Sequence, residues 1–296
     1  MIADWVYVNG EMVPKESATV SVFDHGFVYG DGVFEGIAIT GGAIFKLQAH
    51  IGRLMESAAY LAIAPGRSAE DIARAAVDTA RKNGIGEGYL RVLLTRGAGP
   101  VGIRNMDQLG TPTLVVIAQH EDRSRRAGVY ANGLNATISS VRRVPAECLD
   151  AKAKTCNYVN NILAYLQARS AGADTAIMLD TSGMIAECHA ANVFCVSKGH
   201  VRTPRLGSIL NGITRQTVIP LCAELGIGCD EAMLTTHDLF CADEVFETGS
   251  LAEIKPIVSI DGRVIGDGAP GGVTRRIHAA LRRVMEDGRF STPLQP

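Results

Sequence analysis

The stretch Lys154-Thr-Cys-Asn157-Tyr158-Val-Asn-Asn-Ile-Leu-Ala is followed by Ile185-Ala-Glu187-Cys-His-Ala-Ala-Asn192-Val-Phe194. The first stretch places a lysine just before an amphipathic helix, and the second places a glutamate at the end of an apolar strand. Thr155 could cap that helix, which would put Lys154 at a helix mouth. A lysine amine can form a Schiff base with an aldehyde cofactor. A carboxylate can keep a ring nitrogen protonated, because it favours the charged form of that nitrogen.

Each of these residues also has a simpler interpretation. Lys152 and Lys154 could both be solvated loop lysines, and Glu187 could be a surface carboxylate, because charged side chains are seldom buried. The spacing to Asn157 favours Lys154 over Lys152 as the reactive amine. Taken singly, neither Lys154 nor Glu187 decides the function.

A phosphate site is indicated by Asn211-Gly212-Ile213-Thr214-Arg215, where a glycine turn opens a helix. Backbone N–H groups at a helix start bind phosphate, and a cation strengthens the site. Arg53 could supply that cation, since His50, Arg53 and Ser57 fall on one face of a predicted helix. The alternative is an exposed arginine on an amphipathic helix. A Gly-rich run at residues 26–36 fails the dinucleotide fingerprint, because its spacing is wrong and a strand follows it.

Together these motifs resemble the class IV (fold-type IV) pyridoxal-phosphate-dependent aminotransferases. Within that family, Tyr-Gly-Asp-Gly-Val-Phe-Glu-Gly-Ile at 29–37 and Ala-Asp-Glu-Val-Phe-x-Thr-Gly at 242–249 are most similar to the branched-chain amino acid aminotransferases. The resemblance implies an α/β (α+β) fold of two domains, with a larger, barrel-like C-terminal domain. It implies that Lys154 is the catalytic amine and Glu187 the partner of the pyridine nitrogen. The cofactor residues it implies are Arg53, Lys154, Tyr158, Glu187, Ile213, Thr214 and Ser250.

The same resemblance implies a substrate pocket lined by Tyr29, Phe34, Arg91, Leu251 and Ala252. Arg91 ranks before Arg96 and Arg104 as a carboxylate binder, because it follows Tyr89-Leu90 as in the family's Tyr-Ile-Arg. His25 is expected to be a structural hydrogen-bonding residue, since Lys154 already supplies the proton shuttle. The chain departs from the family pattern at four places, namely Ala38, Ser250-Leu251, Cys188 and His189.

Hydrophobic periodicity and turn residues divide the chain into an N-terminal domain at 1–122, a charged connection at 123–133 and a cofactor-binding domain at 134–296. Ser68 is expected to cap a helix. Pro220 should kink or shorten the helix that contains it. Helices are predicted at 48–63, 68–84, 157–170, from 213 and at 272–286. Strands are predicted at 5–8, 11–13, 34–40, 43–45, 90–95, 113–118, 174–180, 184–188, 192–197, 243–248 and 253–260, with a type I′ turn at Asn9-Gly10 joining the first two.

Composition narrows the function classes. The 296 residues carry a net charge of −2 and are 47% hydrophobic and 20% charged, as in an ordinary globular enzyme. Nucleic-acid binding is not expected, because no basic run interleaves with aromatic residues. The seven cysteines include no C-x-x-C pair, so no metal site is expected. No secretion signal or membrane span is evident, and we expect a cytoplasmic protein.

The resemblance implies pyridoxal 5'-phosphate-dependent transfer of an amino group between a branched-chain L-amino acid and 2-oxoglutarate, by a homodimer or higher homo-oligomer. In the family, a loop of the partner subunit completes the pocket. Alternatives within the same fold are a D-amino acid or (R)-amine transaminase and an aminodeoxychorismate lyase, and the absence of an arginine at Ala38 favours the first two. The alternative from another class is a non-catalytic binding module, which would leave Lys154 and Glu187 exposed.

Overall fold

The structure is a computed structural model that describes residues 2–122 and 124–295, with all their side chains except those of 124–126. Short 3-10 helices lie at Lys15–Ser17 and Ile103–Gln108. The α-helices are α1 (His25–Tyr29), α2 (Leu47–Tyr60), α3 (Ala69–Lys82), α4 (Ser124–Asn132), α5 (Val159–Ser170), α6 (Ile213–Glu224), α7 (Thr236–Phe240) and α8 (Gly272–Glu286). The strands are β1 (Ile2–Val8), β2 (Glu11–Pro14), β3 (Gly32–Thr40), β4 (Ala43–Phe45), β5 (Gly88–Thr95), β6 (Leu114–His120), β7 (Leu134–Ile138), β8 (Thr175–Leu179), β9 (Ile185–Cys188), β10 (Asn192–Ser197), β11 (His200–Pro204), β12 (Cys229–Ala232), β13 (Glu244–Gly249), β14 (Glu253–Ile260), β15 (Arg263–Val264) and β16 (Ser291–Pro293).

The chain forms two compact units. The first comprises the chain up to Asp122, the short segment Ala153–Asn157 and the residues from Met285 onward. The second comprises Arg123–Lys152 and Tyr158–Val284. The segment that carries Lys154 thus groups with the first unit, although the residues on both sides of it belong to the second.

The first unit is built on an antiparallel sheet with strand order β16-β4-β3-β5-β6-β1-β2. Its hairpin at Asn9-Gly10 forms as predicted, with Val8 paired to Glu11 and both turn residues at positive φ. A type I′ turn requires this conformation, which asparagine and glycine tolerate. Strand β3 is buried at every position, whereas β5 alternates buried with half-buried residues. Strand β3 is therefore covered on both faces.

Helices α2 and α3 pack against this sheet and supply its apolar core. The Ser68 hydroxyl accepts from the Asp71 N–H while Asp71 accepts from the Ser68 N–H, so the predicted cap of α3 is confirmed as a capping box. Such a cap satisfies backbone donors that the first helical turn otherwise leaves unpaired. The core side chains exposed by 2% or less include Ile37, Ile39, Ile44, Leu47, Ile51, Leu54, Ile72, Leu90 and Leu94.

The second unit contains a mixed sheet with strand order β12-β11-β10-β13-β14-β7-β8-β9, and β15 pairs with β14. Strands β7 and β8 are separated from β13 by at least one intervening strand. Even so, the Thr175 hydroxyl on β8 donates to Glu247 Oε2 on β13 at 2.9 Å. The sheet must therefore curl, which gives the barrel-like form expected from the sequence. Phe194 and Phe246 stack inside it with ring centroids 4.9 Å apart.

Two parts of the secondary structure differ from expectation. The charged connection contains helix α4, although residue 123, where that connection was predicted to begin, lies outside the described residues. Helix α6 continues to Glu224 through Pro220, so the proline does not end it. A proline costs a helix one backbone hydrogen bond, which the packing of buried Val218 and Leu221 offsets. Within residues 2–122 and 124–295, no helix combines the length and apolarity that a membrane crossing requires.

Candidate active site

Lys154 lies on an extended segment that pairs with β3. Its backbone N–H donates to the Ser57 hydroxyl at 3.0 Å, and its carbonyl accepts from the Phe34 N–H at 3.0 Å. Thr155 forms a β-bridge with Val33, so the expectation that Thr155 caps a helix is wrong. The Phe34 N–H donates to the Lys154 carbonyl and the Cys156 N–H to the Gly32 carbonyl, and α5 begins only after Tyr158. Strand pairing therefore fixes the backbone of the candidate lysine.

The Lys154 amine lies 4.6 Å from the centroid of the Phe34 ring. The guanidinium carbon of Arg91 lies 4.3 Å from the same centroid and 5.4 Å from that of Tyr89. Aromatic faces attract cations at these distances. Phe34 thus brings two of the predicted site residues together within the first unit.

The other two arginines considered as carboxylate binders are placed differently. Arg96 donates from Nε to Asp31 at 2.5 Å and from Nη2 to the Leu61 carbonyl at 2.7 Å. Arg104 is exposed in the 3-10 helix Ile103–Gln108. Arg96 therefore serves a local ion pair, while Arg91 is the arginine that shares an aromatic ring with Lys154.

Arg53 is buried, contrary to its interpretation as a surface residue. Its Nε donates to Glu35 Oε1 at 2.7 Å and its Nη2 to Glu35 Oε2 at 2.8 Å. His50 Nδ1 lies 2.7 Å from the same Oε2, and the Ser57 hydroxyl donates to the Arg53 carbonyl. The predicted face of α2 thus carries a buried His50–Glu35–Arg53 cluster, and its Ser57 also holds the Lys154 backbone.

Electrostatics in this cluster fix the charges. Burial by itself would raise the pKa of Glu35, but hydrogen bonds from His50 and Arg53 lower it to about 2. Burial lowers the pKa of His50 despite the neighbouring Glu35 carboxylate. Neutral His50 therefore donates from Nδ1 to an ionised Glu35, and Arg53 supplies the balancing positive charge.

Glu187 is buried in the second unit, so its interpretation as a surface carboxylate is wrong. Its Oε1 lies 2.9 Å from Arg143 Nη2. Its Oε2 accepts from Asn192 Nδ2 at 3.3 Å and from the Leu210 N–H at 3.1 Å. Arg143 is itself held by Asn161 Oδ1 at 3.0 Å. An arginine beside a carboxylate favours the charged form, which suits a group that must stabilise a protonated ring nitrogen.

The start of helix α6 lies next to the Glu187 site. Gly212 is the N-cap, and among the described residues no side chain caps this helix end. A Cβ at Gly212 would overlap Asn192 Oδ1, whose amide also contacts Glu187. Ile213 and Thr214 follow as the first helical residues, both buried. Glycine therefore permits a close approach of the helix N-terminus to the Glu187 pocket, as an anion site requires.

The hairpin between β13 and β14 borders the same region. Thr248 pairs with Asn192 in register, and Gly249 would touch Ala190 and Ala191 if it carried a Cβ. Within the described part of the chain, the buried Thr248 hydroxyl has no hydrogen-bond partner. Buried hydroxyls are rarely left in that state. This hydroxyl, the uncapped α6 terminus and the Glu187 carboxylate match the needs of a phosphorylated pyridine cofactor.

Cys188 and His189, two of the four departures from the family pattern, directly follow Glu187 and belong to a polar network. The Thr175 hydroxyl lies 3.2 Å from His189 Nδ1 and donates to Glu247. Burial, aided by the Lys255 charge, lowers the pKa of His189 to about 4. Burial also raises the pKa of Glu247. His189 is therefore neutral at physiological pH and stacks on Tyr165 with ring centroids 4.7 Å apart.

The remaining predicted residues lie as follows. The Tyr29 hydroxyl accepts from the Gly102 N–H at 2.8 Å, next to exposed apolar residues of the same loop. Tyr158 is the N-cap residue of α5. His25 Nε2 lies 3.2 Å from the Pro100 carbonyl and its ring meets the edge of Tyr29. Leu251 is half-buried and Ala252 buried.

Sequence reasoning missed Glu35 and Arg143 as parts of the site. Glu35 entered the prediction only as part of the family motif at 29–37, with no role of its own. Arg143 lies in Ser-Ser-Val-Arg-Arg-Val, a segment typical of a charged loop. Glu35 could have been recognised from the sequence as a candidate site residue. It is an acidic residue within the otherwise apolar run Val33–Ile39, and charged residues are seldom buried without a partner. No local signal distinguishes Arg143 from its neighbour Arg142.

Comparison with known proteins decides the family. The model of the amino-transferase class IV family matches residues 32–260. The chain belongs to the class IV aminotransferase family. A Methanocaldococcus jannaschii relative is 42% identical over 280 residues, covering 94% of this chain and 96% of that protein. The branched-chain-amino-acid aminotransferase of Escherichia coli K12 is 37% identical over 286 residues, covering 94% and 92%.

A solved structure agrees with this family assignment. The branched-chain amino acid aminotransferase of T.th., complexed with N-(5'-phosphopyridoxyl)-L-glutamate, superposes with a TM-score of 0.92 at 34% identity, covering 99% of both chains. The family uses pyridoxal 5'-phosphate, so the cofactor expected from the sequence is confirmed, as are the aminotransferase fold and activity class. The non-catalytic binding module is therefore not this chain's class.

Proposed function

We propose that this aminotransferase exchanges the amino group of a branched-chain L-amino acid with 2-oxoglutarate, using pyridoxal 5'-phosphate. The observation that carries the proposal is the Glu187 pocket, where a buried, arginine-paired carboxylate lies beside an uncapped helix terminus. The names of the E. coli relative and of the T.th. enzyme support the branched-chain donor. The glutamyl adduct bound to the T.th. enzyme supports glutamate and 2-oxoglutarate as the second pair.

The second unit supplies the residues that hold the cofactor. Bound pyridoxal phosphate provides an electron sink that makes the α-proton of an amino acid removable. Glu187 would hold a proton on the ring nitrogen, and Arg143 keeps the Glu187 carboxylate oriented. The N–H groups of Ile213 and Thr214 at the start of α6 bind phosphate, and Ser250 and the Thr248 hydroxyl add donors. Tyr158 is assigned to the phenolate oxygen by its position after Asn157.

The first unit supplies the reacting amine and a cation. Lys154 would hold the cofactor covalently through Nζ, and the same nitrogen would accept the proton of the substrate α-carbon. The Ser57 and Phe34 hydrogen bonds to its backbone restrict where that nitrogen can reach. Arg53, locked by Glu35, is assigned as the phosphate cation. A fixed guanidinium loses little entropy on binding an anion.

Tyr29, Phe34, Arg91, Leu251 and Ala252 are assigned to the substrate. Phe34 presents an apolar ring suited to a branched aliphatic side chain. Arg91 offers a guanidinium for the second carboxylate of glutamate or 2-oxoglutarate. The isobutyl group of Leu251, in the loop between β13 and β14, reduces the space for the substrate carboxylate. Ala38, which pairs with Tyr89 in the sheet, leaves this strand without an arginine.

We also assign this protein a homodimer and a cytoplasmic location. Several large apolar side chains of the first unit are more than half exposed, which is typical of a surface that another subunit covers. All seven cysteines are free, as in reducing compartments. The exposed apolar residues are Val22, Phe23, Phe27, Val101 and Ile103.

The test is a donor panel with purified protein. L-leucine, D-alanine and (R)-1-phenylethylamine are each supplied with 2-oxoglutarate, and glutamate is measured. We expect L-leucine to give the fastest turnover. Lys154→Ala should lower kcat on the order of 10³-fold or more, because it removes both the covalent attachment and the proton carrier. Borohydride reduction followed by peptide mapping should place the pyridoxyl group on Lys154.

The matched control is Lys152→Ala. Lys152 lies two residues away and pairs with Asp150 at 3.1 Å on the surface, so its loss should leave kcat unchanged. If only D-alanine or only the (R)-amine were turned over, the donor assignment would be wrong. The protein would then be a D-amino acid or (R)-amine transaminase, the two alternatives that the absence of an arginine at Ala38 favours. A pyridoxyl group on Lys152, or none at all, would overturn the assignment of the amine.

A further inference from the structure

The loop Ser250–Ala252 is followed by a residue with unusual backbone geometry, Glu253, which begins β14. Strands β13 and β14 form a hairpin in which Gly249 pairs with Glu253 across the loop. Glu253 has φ of 51°, in the left-handed region that few non-glycine residues adopt. Glycine normally occupies this conformation, because it has no Cβ. A glutamate in this backbone conformation is strained, so contacts made by its side chain must offset the conformational free energy.

The Glu253 side chain is buried and reaches helix α8. His278 Nε2 lies 2.8 Å from Glu253 Oε2, and Arg282 Nε lies 3.9 Å from the same oxygen. Glu253 is only 2% exposed, so its contact with His278 is shielded from solvent. The residue that directly follows the loop is thereby tied to α8.

A second contact holds the loop from helix α4. The Tyr130 ring lies 4.5 Å from the His278 ring, and the Tyr130 hydroxyl donates to the Ala252 carbonyl at 3.4 Å. Tyr130, His278 and Glu253 therefore form one connected group behind the loop. Strained residues that the surroundings hold in place are concentrated at binding sites, where the strain preserves a binding conformation.

We propose that Glu253 and His278 are positioning residues that fix the backbone of Ser250–Ala252 for the anionic groups of cofactor and amino acid. The inference rests on the proposed function, in which Ser250 binds phosphate and Leu251 and Ala252 contact the substrate. Glu253 itself is assigned to neither group. It sets the direction of the loop N–H groups through its backbone conformation, and α8 holds that conformation through His278. A loop already ordered before binding avoids an entropic cost at the moment of binding.

The main test is Glu253→Gly in the full-length enzyme. Glycine adopts the same φ without strain, so it removes the tie to α8 while favouring the local backbone. We expect the KM for L-leucine and the Kd for pyridoxal phosphate each to rise about 10-fold, the effect of losing one buried charged hydrogen bond. The kcat at saturation should change less than about 3-fold, because the reacting groups stay in place.

The matched control is Lys198→Gly. Lys198 also has a left-handed φ, of 52°, but it is exposed in the turn between β10 and β11. This substitution relieves the same kind of strain away from the loop and should leave KM and Kd unchanged. Wild-type KM and Kd in Glu253→Gly would overturn the proposal and make Glu253 a structural residue only.

His278 variants test the same tie if Glu253→Gly fails to fold. His278→Gln keeps an N–H donor for Glu253 and should stay within about 3-fold of the wild-type KM, whereas His278→Leu should raise it about 10-fold. Equal values for the two variants would contradict the proposal. An inactive wild-type enzyme that takes up no pyridoxal phosphate would instead refute the proposed function, so the two failures are distinguishable.

Discussion

In each unit of this aminotransferase, the candidate site residues include a buried arginine–glutamate pair, and the two pairs are built differently. In the first unit, Glu35 is bonded through both oxygens to Arg53 and through one of them to His50. In the second, Glu187 receives one close contact from Arg143, and its other oxygen has partners at 3.1 and 3.3 Å.

The difference indicates which member of each pair is the group that acts on the cofactor, here called the working group. Glu35 is fully enclosed, so it serves to orient the Arg53 cation. Arg143 is anchored by Asn161 and the Ser208 carbonyl, so it serves to orient the Glu187 carboxylate. The same two residue types thus prepare a positive group in one unit and a negative group in the other. Breaking a buried pair is costly when it leaves a charge unpartnered.

The largest expected effect is on stability. Glu35→Gln should lower the free energy of unfolding by about 3–5 kcal/mol, because the buried Arg53 loses the carboxylate that binds its Nε and Nη2. Glu187→Gln should cost less than half as much, since Arg143 keeps Asn161 and the Ser208 carbonyl as partners. Urea unfolding of both variants at pH 7 measures the difference. Equal losses would show that the two pairs are equivalent.

The second effect is on catalysis and reverses the order of the two variants. Glu187→Gln should lower kcat about 10²-fold, close to 2.7 kcal/mol, the usual effect of removing one preorganised electrostatic group. Glu35→Gln should mainly raise the Kd for pyridoxal phosphate, because Arg53 loses its fixed orientation. Steady-state kinetics at saturating cofactor separates the two. A larger fall in kcat for Glu35→Gln would contradict the assignment of the working groups.

The smallest effect concerns pH. The pKa of Glu35 is about 2, below its unfolded value, so its contribution is present at neutral pH and lost only as the pH falls toward 2. The pKa of His189 is about 4, below the usual value for histidine. His189 therefore contributes stability above pH 6.5 that is lost as the pH falls toward 4.

His189→Asn should remove this pH dependence. Between pH 7 and 5 the variant should lose roughly 1–2 kcal/mol less stability than the wild type. His50 in the first unit shifts in the same direction, so the variant is needed to isolate His189. Thermal unfolding across that pH range is the measurement. Parallel curves for variant and wild type would show that His189 takes up no proton on unfolding.

Much of the fold followed from local signals. The Asn9-Gly10 hairpin, the Ser68 cap and the amphipathic pattern of α2 depend on neighbouring residues, and each formed as predicted. Helix α4 was missed, because its polar residues produce no clear apolar face. The helix through Pro220 was underestimated, because tertiary packing outweighed the local preference.

The candidate site was predictable only where motifs name its residues. Lys154, Glu187 and the Gly212 turn came from the resemblance, and their roles remain predictions. The prediction that Thr155 caps a helix is wrong, because nothing in the local sequence indicates that its segment pairs with β3. Glu35 and Arg143 were missed for the same reason. Their partners are distant in sequence, and periodicity describes only neighbours.

The pairing of Ala153–Asn157 with β3 has a consequence for biosynthesis. Ser57 and Lys154 are bonded although 97 positions separate them in the sequence, and β16 near the C-terminus joins β4 of the same sheet. A nascent chain therefore reaches residue 122 on the ribosome with the surroundings of the reactive amine still incomplete. Such non-local contacts slow folding and expose unpaired strand edges in the meantime. A recombinant fragment that stops at Asp122 would leave β3 and β4 without these partners.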